Sequence, residues 1–233
     1  MKNRRPQYAI NAEKDQRAFI EFVRRYFRDL HSLSFVQIGA NDGVMADPLH
    51  DFIDRYAWKG ILIEPQRREF QKLKRTYRKN RLVKFENAAI ANRRGFMNLY
   101  KLEDDYIRGR EETGATFQEL TGIASLSRKN SELGQGWVDR NSIVAEKVAT
   151  VTFSDILKKY RIAEIDILQI DTEGHDGKIL RQINFKAISP KVIHFEHKFL
   201  STTEREQCDK LLRSAGYVLE ELTYDAIAHL ERI

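Results

Sequence analysis

Apolar segments alternate with helical patterns along most of the chain. Five short segments are nearly continuous in apolar residues, and amphipathic stretches such as 48–57 follow or precede them. These segments are 35–38, 60–63, 82–85, 165–170 and 191–195. Because buried parallel strands are apolar on both faces and are joined by helices, the alternation predicts an α/β fold with a mostly parallel sheet and helices on both faces.

The end of the chain predicts a different arrangement. A helix-start pattern at 201–204 and Gly216 as a stop predict a helix between them. Strand patterns at 217–223 and 227–233 follow, separated by a short turn. We therefore expect an antiparallel hairpin to close the sheet.

Two regions are expected to lie outside the sheet. The helical pattern of residues 12–30 places an N-terminal helical extension at 1–33, before a single domain at 34–233. Residues 101–147 show little periodicity and hold several glycines among polar residues, which indicates an insertion that is either a surface excursion or a substrate-side lid. The glycines are Gly109, Gly114, Gly122, Gly134 and Gly136.

Composition narrows the class of protein. Hydrophobic residues make up 42% of the 233 residues and charged residues 32%, which is typical of a folded globular chain. Cys208 is the single cysteine, so an intramolecular disulfide and a Cys-rich zinc site are excluded, and a reducing cytoplasm fits best. No apolar run approaches the roughly 20 residues that span a bilayer, so we expect no membrane span.

The excess of positive charge is local. The net charge is +6, and the segment 67–84 holds nine Lys or Arg residues with Glu69 as its one acid. Phe70, Leu73 and Tyr77 recur there at helical spacing, so the basic residues are expected to form the solvated face of an amphipathic helix. A surface for nucleic acid or another polyanion is the less favoured interpretation.

The first apolar strand runs into a turn with two glycines four positions apart. The turn is Gly39-Ala40-Asn41-Asp42-Gly43. It lacks the GxGxxG fingerprint of dinucleotide sites. This absence weakens the hypothesis that the protein is a nicotinamide-dependent oxidoreductase. An acidic, polar turn suits a ligand that carries an ammonium or sulfonium charge better than one that carries pyrophosphate.

The next two strands also end in polar residues. Glu64 and Pro65 follow the second strand, 25 positions after Gly39, near the spacing at which a Rossmann-like fold binds ribose hydroxyls. Asn87 and Ala88 follow the third strand, where a small hydrogen-bonding segment would flank a purine. Glu64 is the strongest single ligand candidate in the chain.

Taken in order, these motifs resemble the FkbM family of S-adenosylmethionine-dependent methyltransferases over residues 34–225. The series continues with Val151-Thr152-Phe153-Ser154-Asp155-Ile156-Leu157 and Ile170-Asp171-Thr172-Glu173-Gly174-His175. The family is similar to the class I methyltransferases, which implies a Rossmann-like fold with a seven-stranded sheet that ends in a reversed hairpin. The resemblance implies that Gly39, Asn41, Asp42 and Gly43 hold the methionine part of the cofactor, Glu64 the ribose, and Asn87 and Ala88 the adenine side, with Pro65 and Asp171 also at the cofactor.

Two polar clusters are expected to meet at the reaction centre. Asp171, Glu173 and His175 follow the fourth strand of the domain, and Glu196 and His197 end the fifth. Both clusters stand at carboxyl ends of strands, where open α/β sheets bind their ligands. Asp171, Glu173, His175 and His197 are therefore the candidate catalytic residues, whereas His194, inside an apolar strand, is expected to be a core histidine.

Methyl transfer to a hydroxyl needs a base or a cation. Glu173, His175 or His197 would take the proton of the attacking oxygen. Alternatively, Asp171 and Glu196 would hold Mg²⁺ or another divalent cation that lowers the pKa of the acceptor hydroxyl. The chain lacks the Asn/Asp-Pro-Pro-Tyr/Phe tetrad found in adenine and amide N-methyltransferases, so oxygen is the expected acceptor.

The leading hypothesis is a cytoplasmic S-adenosylmethionine-dependent O-methyltransferase. Its acceptor would be a small molecule or a glycan: a sugar, a glycan precursor or another metabolite with a hydroxyl. The alternative is a non-catalytic cofactor-binding or polyanion-associated protein that uses the basic helix at 67–84. We expect no nucleic-acid partner for the enzyme, and homo-oligomer formation stays open.

Overall fold

The structure is a computed structural model that describes residues 7–112, 122–133 and 139–231. Its main element is a seven-stranded sheet in the order β3-β2-β1-β7-β8-β10-β9. The strands are β1 (Ser34–Ile38), β2 (Lys59–Ile63), β3 (Val83–Glu86), β7 (Ile167–Ile170), β8 (Val192–Glu196), β9 (Tyr217–Glu221) and β10 (Asp225–Leu230). The first five pair in parallel, and β10 runs antiparallel to β8 and β9. The predicted sheet and closing hairpin are confirmed.

Helices cover both faces of this sheet. On one face α1 (Gln7–Tyr26), α2 (His50–Arg55) and α3 (Arg67–Thr76) pack over Phe35 and Leu62. On the other face α6 (Phe153–Tyr160), α7 (Asp176–Leu180) and α8 (Thr202–Ser214) pack over residues such as Ile170 and Ile193. The central strands are therefore buried on both sides, which explains their continuous apolar sequences.

Helix α8 begins where the sequence pattern places it. Ser201 Oγ accepts a hydrogen bond from Glu204 N, and the Glu204 carboxylate accepts one from Ser201 N. This reciprocal pair satisfies two backbone donors that the first helical turn leaves free. Gly216 follows the helix at φ +90°, a conformation that glycine adopts without strain.

Helix α1 lies nearer the start of the chain than its predicted position at 12–30. Its buried Asp15 accepts hydrogen bonds from Thr223 N (3.1 Å) and Tyr224 N (2.6 Å), in the turn between β9 and β10. Phe19 stacks on His194 of β8, with ring centroids 4.1 Å apart. These contacts fix α1 across the carboxyl edge of the sheet.

A second, smaller sheet was not predicted. It joins β4 (Ala89–Ile90), β5 (Gly95–Leu102) and β6 (Ile143–Val151) in the order β4-β6-β5. None of the strand segments predicted from the sequence falls on these three strands. Apolar and polar residues do not alternate along β5, so its sequence lacks the pattern of a half-buried strand. Residues 93–98 are all exposed in the structure.

The segment 101–147 is partly helical between β5 and β6. It contains α4 (Asp104–Glu112), α5 (Arg128–Leu133) and a 3₁₀ turn at Arg140–Ser142. Backbone hydrogen bonds in both directions join Ser125 to Tyr100 of β5. Three of the predicted loop glycines, Gly114, Gly134 and Gly136, lie outside the described residues.

The basic segment is helical over a shorter range than 67–84, since α3 ends at Thr76. Phe70, Leu73 and Tyr77 are buried, as the helical spacing indicates. Glu69 is buried too, with its carboxylate 3.1 Å from Lys72 Nζ. None of the helices in the described ranges combines the length and the apolar character that a membrane crossing requires.

Candidate active site

A cavity opens at the carboxyl edge of the seven-stranded sheet. The ends of β1, β2, β7 and β8 form one side of it, and α1 and residues 122–126 form others. Its volume is about 230 Å³. Predicted site residues that line it are Gly39, Asn41, Glu64, Pro65, Ala88, Asp171, Glu173, His175 and Glu196.

Gly39 allows β1 and β7 to meet at the cavity. Its φ is +85°, and its amide donates to Ile63 O at 2.9 Å. A Cβ at this position would overlap the carbonyl oxygen of Asp171. Glycine is therefore required both by the left-handed backbone and by the close approach of the Asp171 main chain.

Glu64 is held by the backbone of two loops. Its Oε2 accepts from Asn41 N at 2.9 Å and its Oε1 accepts from Gln66 N at 2.8 Å. The side chain is only 3% exposed, and this burial raises the pKa of Glu64 to about 7. The side chain of Gln66 also hydrogen-bonds this carboxylate, and the lone pairs that these three contacts leave are available to a ligand in the cavity.

The raised pKa of Glu64 makes stability depend on pH. Its ordinary value is 4.5, so between pH 4.5 and 7 the folded chain holds a proton that the unfolded chain has released. This stabilisation is complete below about pH 4.5 and is lost as pH rises through 7. From pH 4.5 to 8 the unfolding free energy of wild type should fall by about 3 kcal/mol relative to that of Glu64→Gln, as measured by urea denaturation. Parallel pH profiles of the two proteins would contradict the assignment.

Three predicted ligand residues do not line the cavity. Asp42 Oδ1 accepts from Val44 N and Met45 N, which closes the turn on itself. Gly43, at φ +74°, leaves room for the Tyr77 ring, 2.6 Å from where a Cβ would stand. The Asn87 amide donates to the carbonyl oxygens of Glu64 and Pro65. These residues shape the loops that carry the lining residues, and their part in ligand contact stays a prediction.

Carboxylates gather at the ends of β7 and β8. Oxygen atoms of Asp171, Glu173 and Glu196 all lie within 4.8 Å of one another. Burial within the cavity walls and mutual repulsion raise the pKa of all three groups, while Lys198 opposes the rise. Such a cluster attracts protons or a cation, because three ionised carboxylates at this separation repel one another strongly.

Asp176 lies next to this cluster and contacts the residues that carry it. It is fully buried; its Oδ2 accepts from Thr172 Oγ1 at 2.6 Å and its Oδ1 accepts from Glu196 N at 3.2 Å. Burial raises the pKa of Asp176 to about 6. Its contacts therefore link the loop after β7 to the end of β8.

Glu173 is held in an unusual backbone conformation by the segment between β5 and β6. Its φ is +51°, which costs energy for a residue with a side chain. Ser125 Oγ donates to the Glu173 carbonyl at 2.8 Å, and Asn130 Nδ2 donates to it at 3.1 Å. Nothing in the sequence indicated that Ser125 or Asn130 would contact the Glu173 carbonyl.

The histidines separate into two environments. His175 lines the cavity, and its burial, with nearby Lys178 and Arg181, lowers its pKa to about 4. His197 is buried but does not line the cavity, and its burial also lowers its pKa. His194 is buried as expected, stacks on Phe19 and has Nδ1 2.7 Å from Gln169 Oε1, but it also lines the cavity.

Sequence reasoning missed the residues that α1 and the loop after β1 bring to the cavity. Tyr8, Ala9, Ala12, Glu13 and Gln16 of α1 line it, as do Gln37 and Asp47. The position of a helix over a sheet edge is set by tertiary packing, so the α1 residues carried no local signal. Asp47 was visible only as an acid before a proline.

The strand order of the sheet and the cavity at its carboxyl edge define the class I methyltransferase fold. The Methyltransferase FkbM domain family matches residues 37–219, and the chain belongs to this family. The resemblance expected from the motifs is thereby confirmed. Membership implies S-adenosylmethionine as the methyl donor.

Solved structures show the same fold at low sequence identity. The chain is similar to methyltransferase FkbM from Methylobacillus flagellatus KT, with a TM-score of 0.51 and 13% identity over 87% of this chain and 44% of that one. It is also similar to the METTL16 methyltransferase domain, with a TM-score of 0.51 and 9% identity over 95% of this chain and 68% of that one. The chain thus spans less than half of the Methylobacillus structure. No curated protein matches it.

Proposed function

We propose that the protein is an S-adenosylmethionine-dependent O-methyltransferase that acts on a hydroxyl of a sugar, a glycan precursor or another small metabolite. The observation that carries the proposal is one cavity that joins the Gly39 turn, the Glu64 carboxylate and the Asp171 cluster. The Gly39 turn and the Glu64 carboxylate suit the cofactor, and the Asp171 cluster suits the removal of a proton from an acceptor. The missing tetrad of the N-methyltransferases favours oxygen.

The residues that line the cavity are suited to the three parts of the cofactor, namely the ribose, the adenine and the methionine part. Glu64 would accept hydrogen bonds from the ribose hydroxyls through the lone pairs that its contacts with Asn41 and Gln66 leave free. Ala88, Ile90 and Leu99 are apolar residues of the cavity lining, which suits the faces of an adenine ring. The turn at Gly39 and Asn41 leaves backbone accessible to the methionine part.

Bound S-adenosylmethionine supplies an electrophilic methyl group on a sulfonium centre. The task of the chain is to align an acceptor oxygen with that methyl group and to accept the hydroxyl proton. Asp171 and Glu173 are placed for the second role, since both line the cavity and the pKa of each is raised toward the working range of a base. His175 is a further candidate, because its lowered pKa keeps the imidazole neutral.

A divalent cation is an alternative way to activate the acceptor. Asp171 and Glu196, the pair expected from the sequence, lie with Glu173 in one cluster of oxygen ligands. Mg²⁺ prefers such ligands and would lower the pKa of a bound hydroxyl. Transfer assays with EDTA and with added Mg²⁺ distinguish this arrangement from a metal-free base.

Calorimetric titration with S-adenosylhomocysteine tests the cofactor site without knowledge of the acceptor, with NAD as the control ligand. We expect micromolar binding of S-adenosylhomocysteine alone. Tight binding of NAD would instead favour the hypothesis of a nicotinamide-dependent oxidoreductase. Binding of neither ligand, together with salt-dependent binding of a polyanion, would favour the alternative function of the basic segment at 67–84.

Replacing Glu64 by alanine should weaken S-adenosylhomocysteine binding roughly ten- to a hundredfold. At pH 8, above the Glu64 pKa of about 7, the change removes a charged acceptor for the ribose hydroxyls, and hydrogen bonds to charged groups contribute about 1.5–3 kcal/mol. Glu164→Ala, which removes an exposed carboxylate far along the chain, is the matched control and should leave the affinity unchanged. Wild-type affinity in a folded Glu64→Ala protein would remove Glu64 from the ribose role.

The remaining expectations extend the proposal. Within a domain at 34–233, we assign the insertion at 101–147 to the acceptor side, since Gly122, Ile123, Ala124 and Leu126 line the cavity. The N-terminal extension at 1–33 supplies another wall through α1. A cytoplasmic location is proposed because the single cysteine, Cys208, is buried and free.

A further inference from the structure

Two side chains of the segment between β5 and β6 hold one carbonyl oxygen of the loop after β7. Ser125 Oγ donates to the Glu173 carbonyl at 2.8 Å, and Asn130 Nδ2 donates to it at 3.1 Å. A carbonyl oxygen has two lone pairs, and these two donors occupy both of them. The peptide bond between Glu173 and Gly174 is therefore fixed by residues that lie 48 and 43 positions from Glu173 along the chain.

The segment that carries these donors is itself anchored to the smaller sheet. Ser125 is 1% exposed and exchanges two backbone hydrogen bonds with Tyr100 of β5. Leu126 packs against the apolar cluster that contains Leu99 of the same strand. The position of the donors is thus set by β5, and the Glu173 carbonyl is held where β5 places them.

The backbone after β7 has the conformation that these donors require. Glu173 has φ +51° and Gly174 has φ +96°, both in the left-handed region. A Cβ at Gly174 would overlap Asn130 Nδ2, so glycine leaves the space that the Asn130 amide occupies. The left-handed conformation is unfavourable for Glu173 and persists only where its surroundings enforce it. The two hydrogen bonds from the segment supply this constraint.

The backbone conformation of Glu173 determines where its carboxylate lies. The side chain lines the cavity, and its oxygen is within 4.8 Å of oxygen atoms of Asp171 and Glu196. Ionised carboxylates at this separation repel one another, so the cluster alone favours a loop that turns Glu173 away. Without the two donors, the backbone of Glu173 would relax to a right-handed or extended conformation and carry the side chain away from Asp171.

We propose that Ser125 and Asn130 are positioning residues that place the Glu173 carboxylate at the reaction centre. The inference rests on the proposed function, in which Glu173 takes the proton of the attacking hydroxyl or helps to hold a cation. The same segment lines the cavity through Ile123 and Leu126. It therefore connects the wall assigned to the methyl acceptor with a carboxylate that acts on that acceptor.

A comparison in two backgrounds tests this role, with turnover measured on the acceptor found by a screen of sugars and hydroxylated metabolites. Ser125→Ala combined with Asn130→Ala removes both donors and should lower kcat roughly ten- to a hundredfold, the effect of a misplacement of about 1 Å at a reacting group. The KM for S-adenosylmethionine should change by no more than about twofold. In a Glu173→Gln background the same pair of changes should lower kcat by no more than about twofold, because both act through Glu173.

Asn141→Ala combined with Ser142→Ala is the matched control. It makes the same two chemical changes in the 3₁₀ turn at the other end of the insertion, and it should keep wild-type turnover. If the variant without both donors does not fold, Asn130→Ala alone is carried through the same comparison, because Ser125 then keeps its buried place. Its kcat should fall severalfold in the wild-type background only.

The outcomes separate this inference from the proposed function. Equal losses of kcat in the wild-type and Glu173→Gln backgrounds would indicate a general structural effect and overturn the positioning role. An unchanged kcat after removal of the donors would overturn it too, as would wild-type turnover in Glu173→Gln alone, which would leave no group to position. Failure of wild type to bind S-adenosylhomocysteine or to methylate any hydroxyl would overturn the proposed function, and the positioning role with it.

Discussion

Replacing Gly39 by alanine is expected to abolish cofactor binding and to lower the unfolding free energy by about 3 kcal/mol or more. Two costs act together. The φ of +85° is unfavourable for any residue with a Cβ, and the new methyl group would overlap the carbonyl oxygen of Asp171. Relief requires β1 and the loop after β7 to move apart, which separates the turn from the carboxylate cluster.

Urea denaturation and calorimetry with S-adenosylhomocysteine measure the two effects of Gly39→Ala. Gly109→Ala is the matched control, because a Cβ at Gly109 meets no atom within 4 Å and the residue lies in α4. That control should gain up to about 1 kcal/mol from helix propensity and keep its affinity. Wild-type affinity in the Gly39→Ala protein would show that the turn does not carry the cofactor.

The parts of the site that could be predicted from sequence are those that follow a strand directly. Gly39, Glu64 and Asp171 each come at the end of a short apolar run, so the position of the strand determined the position of the residue. Parallel strands bring their carboxyl ends to one edge, and the predicted residues therefore meet at one cavity. Local sequence was sufficient for this part of the architecture.

Residues that depend on tertiary packing could not be predicted in this way. Asp47 reaches Gln37 only because the loop after β1 folds back over its own strand. Ser125 and Asn130 reach the Glu173 carbonyl from a segment without clear periodicity. No spacing rule connects such pairs, since their separation along the chain reflects the length of an intervening loop.

The observed ends of some elements differ from the predicted ends, because an apolar side chain can pack against the core from a helix or from a loop. The pattern at 12–30 extended the helix beyond Tyr26, because Phe27 and Leu30 pack against the core without being helical. The contacts of Asn87 likewise depend on tertiary packing. Its amide joins the loops after β2 and β3 through two carbonyl oxygens, and its expected place beside a purine stays a prediction.

Asp171→Asn is expected to lower the rate of methyl transfer by at least roughly a hundredfold, the contribution of a well-placed general base. The amide is isosteric with the carboxylate and cannot accept the acceptor proton, so the loss should fall on turnover. The affinity for S-adenosylhomocysteine should change by no more than about threefold, because the Asp171 backbone, which contacts β1, is unaffected.

The measurement needs an acceptor, which a screen of sugars and small hydroxylated metabolites with labelled methyl donor would supply. Asp166→Asn is the matched control: Asp166 precedes the same strand, at the opposite end from the cavity, and accepts from Ser34. Loss of turnover in Asp171→Asn that EDTA reproduces in wild type would assign Asp171 to a cation, and loss that EDTA does not reproduce would assign it to proton transfer. Turnover that survives both treatments would exclude both roles, and Glu173 and His175 would then be the groups that face the acceptor hydroxyl.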